Sequence, residues 1–96
     1  MSDVFKALAD PHRRKILKLL RQGDMNVGEI LSHFAMTGAS LNHHLTILRH
    51  AGLVLSEKKG QHITYSLNTT VFQEVLEWIY EIKGEQNGND SNQNKT

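Results

Sequence analysis

The chain has no cysteine. That excludes disulfides, thiolate metal sites and a cysteine nucleophile, and it fits a cytosolic protein. No apolar run approaches the roughly 18 residues of a membrane span, so no membrane insertion is expected. The opening stretch, Met1 to Phe5, lacks the basic region and apolar core of a signal peptide. No Ser/His/Asp spacing, phosphate-binding loop or paired catalytic carboxylates stands out, so no catalytic residues are assigned and no enzyme is expected. The single proline, Pro11, follows Asp10, and the pair reads as a helix start.

What is present is a charge pattern. The 96 residues carry a net charge of only +1, but the charge is segregated. Between Pro11 and Ser66 lie eight cations (Arg13, Arg14, Lys15, Lys18, Arg21, Arg49, Lys58, Lys59) against three anions, a net +5. The rest holds three cations against seven anions, a net −4. A basic middle suits a polyanion, while acidic flanks face elsewhere. A chain of this length makes one domain with a modest core, and such domains often gain stability by dimerising.

Hydrophobic periodicity places the elements. Val4, Phe5 and Leu8 mark a short first helix. Asp10 and Pro11 open a second, with Ile16, Leu17 and Leu20 inward and a cationic outer face that either is solvated or lies near phosphate. Asn26 and Glu29 form a capping-box pair for a third helix with Val27, Ile30, Leu31 and Phe34 on its apolar face. After a break at residues 35–37, Thr37 caps a fourth helix over residues 38–51, where Leu41, Leu45 and Leu48 recur on one face. Two helices joined by a short turn match a helix-turn-helix.

Beyond Gly52 the period changes to two. Ile63, Tyr65 and Leu67 alternate with His62, Thr64 and Ser66 as in a half-buried strand, and residues 53–58 read as its partner. Lys59-Gly60-Gln61 is the turn, with Gly60 free to take positive φ. Thr70 and Gln73 read as a capping box for a last helix bearing Val71, Phe72, Val75, Leu76, Ile79 and Ile82, with Trp78 and Tyr80 beside this stripe. Its apolar arc is wide enough to pack on another subunit as well as on its own domain. The expected fold is mostly α with a small β-hairpin: a winged helix-turn-helix of about five helices plus a two-stranded wing, as a homodimer. It occupies residues 1–83, and residues 84–96 are expected to form a disordered polar tail.

Three stretches resemble the ArsR-type family of winged-helix repressors: Leu8 to Leu17, Ser40 to Val54 and Lys59 to Leu67. The last of these, with Asn68 to Thr70, is similar to the metal-independent, SdpR-like branch of autorepressors. The resemblance implies a homodimer built from the first and last helices, operator occupation, and release by a signal. In this branch a sequestering protein partner is the expected signal. The family's metal-sensing members carry a thiolate motif in the third helix and a zinc motif in the last. Here residues 27–33 have no cysteine, and residues 71–82 offer only Glu74, Glu77 and Glu81. No metal or cofactor is therefore expected.

The candidate DNA-binding residues are Thr37, Gly38, Ala39, Ser40, Asn42, His43, Thr46 and Arg49, with Lys58, Lys59, Gln61 and His62 on the wing. Asn42 has the geometry to pair with adenine, Ser40 and Thr46 to bond several bases, and Arg49 to reach guanine or phosphate. The wing cations make positioning contacts. The candidate dimer contacts are Val4, Phe5, Leu8, Phe72, Val75, Trp78, Ile79 and Ile82. Adjacent helical positions diverge by about 100°, so His43 and His44 do not share a metal ion. His44 is expected to pack and His43 to point outward, while His12, His33 and His50 read as scattered surface residues. The competing readings are a histidine-based metal-responsive repressor and a winged helix that binds protein instead of double-stranded DNA. The location expected is the cytoplasm, at the nucleoid.

Overall fold

The computed structural model describes residues 1–84. The helices are α1 (Ser2–Leu8), α2 (Pro11–Arg21), α3 (Val27–Leu31), α4 (Gly38–His50) and α5 (Thr69–Lys83), and the strands are β1 (Met25–Asn26), β2 (Val54–Lys59) and β3 (His62–Leu67). The tail expected beyond Gly84 lies outside the described residues.

Local capping explains most helix starts. The Asp10 carboxylate accepts from the amides of His12 and Arg13 at 2.8 and 3.2 Å and opens α2 ahead of Pro11. The Asn26–Glu29 capping box closes reciprocally, both bonds at 2.9 Å. The helix that it opens is shorter than its apolar spacing implied. It ends at Leu31, and Phe34 sits in the turn that follows.

At α5 the expected Thr70–Gln73 capping box is absent. The helix begins at Thr69, its N-cap is Asn68 with no side-chain bond, and Gln73 donates to Glu77 at 3.4 Å instead. A tertiary bond fixes this entry: the Asn68 amide donates to the Leu53 carbonyl at 3.0 Å.

The sheet is antiparallel in the order β1-β3-β2, so it has three strands where two were expected. β1 pairs Met25 with Tyr65 and Asn26 with Thr64, tying the entrance of α3 to the hairpin. The β2–β3 hairpin runs in register from Val54 opposite Leu67 to Lys59 opposite His62.

The core joins Ile16, Leu17 and Leu20 of α2 to Ile30 of α3 and Leu41, Leu45 and Leu48 of α4. Leu53, Val54 and Tyr65 close it from the sheet, with Val4 and Ala7 from α1 and Val75 from α5. Burying such a side chain contributes about 1.5–3 kcal/mol, so the seven helical positions from Ile16 to Leu48 dominate the stability of the helix-turn-helix. Tyr65 is buried as its alternation predicts, but Ile63 is exposed because the hairpin extends past the core.

Candidate nucleic-acid interface

Thr37 Oγ1 accepts the Ser40 amide at 3.1 Å and donates to Ser40 Oγ at 3.2 Å, which sets the first turn of α4. The other end closes in a Schellman arrangement. The Gly52 amide reaches the Arg49 carbonyl and the Leu53 amide reaches Leu48, both at 3.0 Å. Gly52 takes φ 79°, a conformation that L side chains rarely adopt, so Ala51-Gly52-Leu53 both ends the helix and turns the chain into the wing.

With Leu41, Leu45 and Leu48 fully buried, α4 is fixed in rotation about its axis. Ala39, Asn42, Thr46 and Arg49 follow at intervals of three or four, with His43 beside Asn42, and all five are exposed. Thr37 and Ser40 are exposed at the helix start, and Gly38 is half-buried. This face carries amide, hydroxyl, imidazole and guanidinium groups and no carboxylate. Such a surface offers the donors and acceptors that base edges in a major groove require.

The hairpin turn is Gly60-Gln61, with Gly60 at φ 62°. Lys58, Lys59, Gln61 and His62 are exposed around it. The Lys59 ammonium lies 3.9 Å from the Glu57 carboxylate, both well exposed, a contact that water and salt screen.

The cations at the start of α2 do something else. Arg13 Nε donates to the Ala7 carbonyl at 2.8 Å, and its terminal nitrogens reach the Lys6 carbonyl at 3.2 Å and His44 Nδ1 at 3.3 Å. Arg14 donates to the Leu8 carbonyl at 2.9 Å. Arg13 at Ala7 and Arg14 at Leu8 thus bind carbonyls at the end of α1, while the Lys6 carbonyl is shared between Arg13 and the Ala9 amide, the latter at 3.2 Å. Lys15 donates to the His33 carbonyl at 2.9 Å and lies 4.8 Å above the Phe34 ring, holding the turn between α3 and α4. These three residues hold helix ends and a turn; Arg13 is half-buried, while Arg14 and Lys15 keep the exposure expected of a solvated face. Only the tertiary structure reveals these bonds, since a cation five or six residues past a helix end looks like any surface charge.

The histidines divide as expected in one respect: His43 is exposed and His44 half-buried. Burial disfavours the charged form of His44 and lowers its pKa; Asp10 opposes this, and Arg13, His12 and His43 add to it. Asp10 is itself held below the ordinary carboxylate range. Desolvation pushes it up, but the amides of Arg13 and His12 and the charges nearby outweigh that. His12, His33 and His50 lie at the surface as expected, but His12 is not isolated. Its ring centroid lies 5.6 Å from that of His44, beside Asp10.

The candidate dimer contacts also separate. Val4 and Val75 are buried in the chain's own core, and Leu8 and Phe72 are half-buried against it. Phe5, Trp78, Ile79 and Ile82 are exposed, Ile82 to 67%, and Leu76 joins them. Phe5 and Trp78 stack across α1 and α5 with centroids 5.0 Å apart.

A sequence model described as bacterial regulatory protein, arsR family, matches residues 10–56. The chain is 52% identical over 79 residues to the transcriptional repressor SdpR of Bacillus subtilis, covering 82% of this chain and 88% of that protein. It is 32% identical to the transcriptional activator HlyU of Vibrio cholerae, over 82% of this chain and 73% of that protein. Among solved structures, an ArsR family transcriptional regulator superposes with a TM-score of 0.81 at 31% identity, covering 86% of each chain. HlyU superposes with a TM-score of 0.70 at 31% identity, over 84% of this chain and 88% of that one.

Proposed function

Since the chain belongs to the ArsR family of bacterial regulatory proteins, a family of DNA-binding transcriptional regulators, we propose that it is a repressor acting as a homodimer on an inverted-repeat operator. The observation that carries the DNA reading is the outer face of α4, which is exposed, polar and free of carboxylates while its inner face is locked into the core. The 52% identity to a named repressor favours repression over activation.

In this reading Ala39, Ser40, Asn42, His43, Thr46 and Arg49 enter the major groove, with Thr37 and Gly38 at the helix start close to the backbone. Lys58, Lys59, Gln61 and His62 lie along phosphate or the neighbouring minor groove and position the domain. The second subunit packs on the exposed apolar residues Phe5, Leu76, Trp78, Ile79 and Ile82. Two recognition helices then read half-sites about 34 Å apart.

The chain works in the cytoplasm at the nucleoid; among the described residues no helix is long and apolar enough to cross a membrane. Repression of its own gene and release by a sequestering protein partner complete the proposal. Their support is the likeness to the autorepressor branch.

A gel shift with DNA from upstream of the protein's own gene, over a salt series, tests the reading. A specific complex that weakens steeply with salt is expected. The absence of any specific complex would overturn it. Sedimentation of the free protein tests the dimer separately. Trp78→Glu is expected to give monomers and to weaken binding to a two-half-site operator by about a hundredfold or more, through loss of linked binding. A wild-type chain that is monomeric at micromolar concentration would remove the dimer.

A further inference from the structure

We propose that Asp10, His12 and His44 form a binding site for a divalent transition-metal ion of the zinc class. Their ligand atoms all lie within 4.8 Å of one another. His12 Nδ1 stands 3.7 Å from Asp10 Oδ1. The site joins the start of α2 to the middle of the recognition helix, and it lies on neither helix where the family's metal-sensing members carry their motifs.

The chemistry of the donors fits. Two imidazoles and a carboxylate suit zinc and its neighbours, with water completing a tetrahedron. Ligands on one tetrahedral zinc stand about 3.3 Å apart, from bond lengths near 2.0–2.1 Å. The trio therefore closes by about 1.5 Å at most, and the His12 side chain, 57% exposed, has room to move toward the other two. Asp10 Oδ1 is engaged by the His12 and Arg13 amides. Among the described residues its other oxygen takes no hydrogen bond and remains for a metal.

Arg13 is the competing cation, 3.3 Å from His44 Nδ1. Metal entry replaces that one long contact. The guanidinium keeps its bonds to the Ala7 and Lys6 carbonyls, and the Asp10 carboxylate offsets the added charge.

The test uses the full chain without a histidine tag and without DNA, so its outcome is independent of the operator reading. Zinc is titrated against a chromogenic chelator. One zinc per chain is expected at micromolar concentration. His12→Gln and Asp10→Asn should each weaken it by at least about tenfold, the size of loss that even outer-shell changes produce. Asp10→Asn retains a good helix cap, so its effect reports the lost carboxylate and not a lost fold. His43→Gln, whose ring centroid lies 6.0 Å from that of His44 but which is not one of the three ligands, should bind like wild type. Zinc should also raise the thermal midpoint of wild type and leave that of His12→Gln unmoved. A wild-type chain that takes up no zinc, or a His12→Gln chain that binds it as tightly as wild type, would overturn the site.

Discussion

Arg13 and Lys59 carry the same charge in the same basic half of the chain, and they have opposite occupations. Arg13, half-buried on α2, directs its fork at two carbonyls of α1 and at His44. Lys59, on the wing, is exposed, and its ammonium lies 3.9 Å from the Glu57 carboxylate. Arg14 and Lys15 also bind carbonyls, though both are exposed, as are Arg49 and Lys58. A count of cations along a sequence is therefore not a count of phosphate contacts. The net +5 of residues 11–66 overstates the charge available to a polyanion, because part of it holds the fold together.

The sharpest way to break this contrast is Arg13→Ala. It removes the side-chain donor from the Ala7 carbonyl and leaves the Lys6 carbonyl with the Ala9 amide alone. Hydrogen bonds to charged groups are worth about 1.5–3 kcal/mol each, so a loss of about 3 kcal/mol in unfolding free energy is expected in a denaturant titration. The base preference of the surviving folded protein should be unchanged. An altered preference with intact stability would move Arg13 into the DNA-contacting group.

Asn42→Ala should do the reverse. The exposed amide contributes nothing to the core, so stability should hold within about 0.5 kcal/mol. Discrimination at one base position per half-site should fall by about 2 kcal/mol, the worth of a bidentate amide–adenine pair. Selection from a randomised operator library measures this directly. An unchanged preference profile would show that Asn42 is not a reader.

How much of this was legible beforehand depended on range. Most signals contained within four residues were read correctly: the Asp10-Pro11 start, the Asn26–Glu29 box, the Thr37 cap and the Gly60 turn, but not the Thr70–Gln73 box. So was the leucine stripe of α4, because burial follows a 3.6-residue period. Most of the failures are non-local. β1 is two residues long and exists only because Tyr65 and Thr64 lie opposite it. The start of α5 is set by the Asn68–Leu53 bond and not by Thr70. Ile63 has the right alternation, but the hairpin carries it beyond anything to pack on. His12 and His44 are 32 positions apart and become neighbours only when α2 crosses α4.

Asp10→Ala gives a smaller effect. Loss of this cap should cost about 1 kcal/mol of stability at neutral pH, measured in metal-free buffer. The sign with pH follows from the depressed pKa of the folded carboxylate. Its contribution is present above the unfolded value of about 3.9 and is lost as pH falls through the lower folded value. The two proteins should therefore converge in stability in strong acid. A gap that widened with acid would assign the cap another role.

The smallest effect sharpens the comparison most. Lys59→Ala removes a charge that holds nothing in place, and its screened contact with Glu57 is worth about 0–1 kcal/mol. Unfolding free energy should barely change, and base preference should not change at all. What should change is the dependence of operator binding on salt. Each phosphate neutralised contributes a slope of about −0.9 in log K against log salt, so Lys59→Ala should flatten it by about 0.9 for each subunit that makes the contact. Lys58→Ala with Lys59→Ala should flatten it by about twice that. Arg13→Ala, compared where it is folded, should leave the slope as it was. Should Arg13→Ala flatten the slope while Lys59→Ala does not, the two cations would have to exchange roles, and the wing would cease to be the phosphate-facing element.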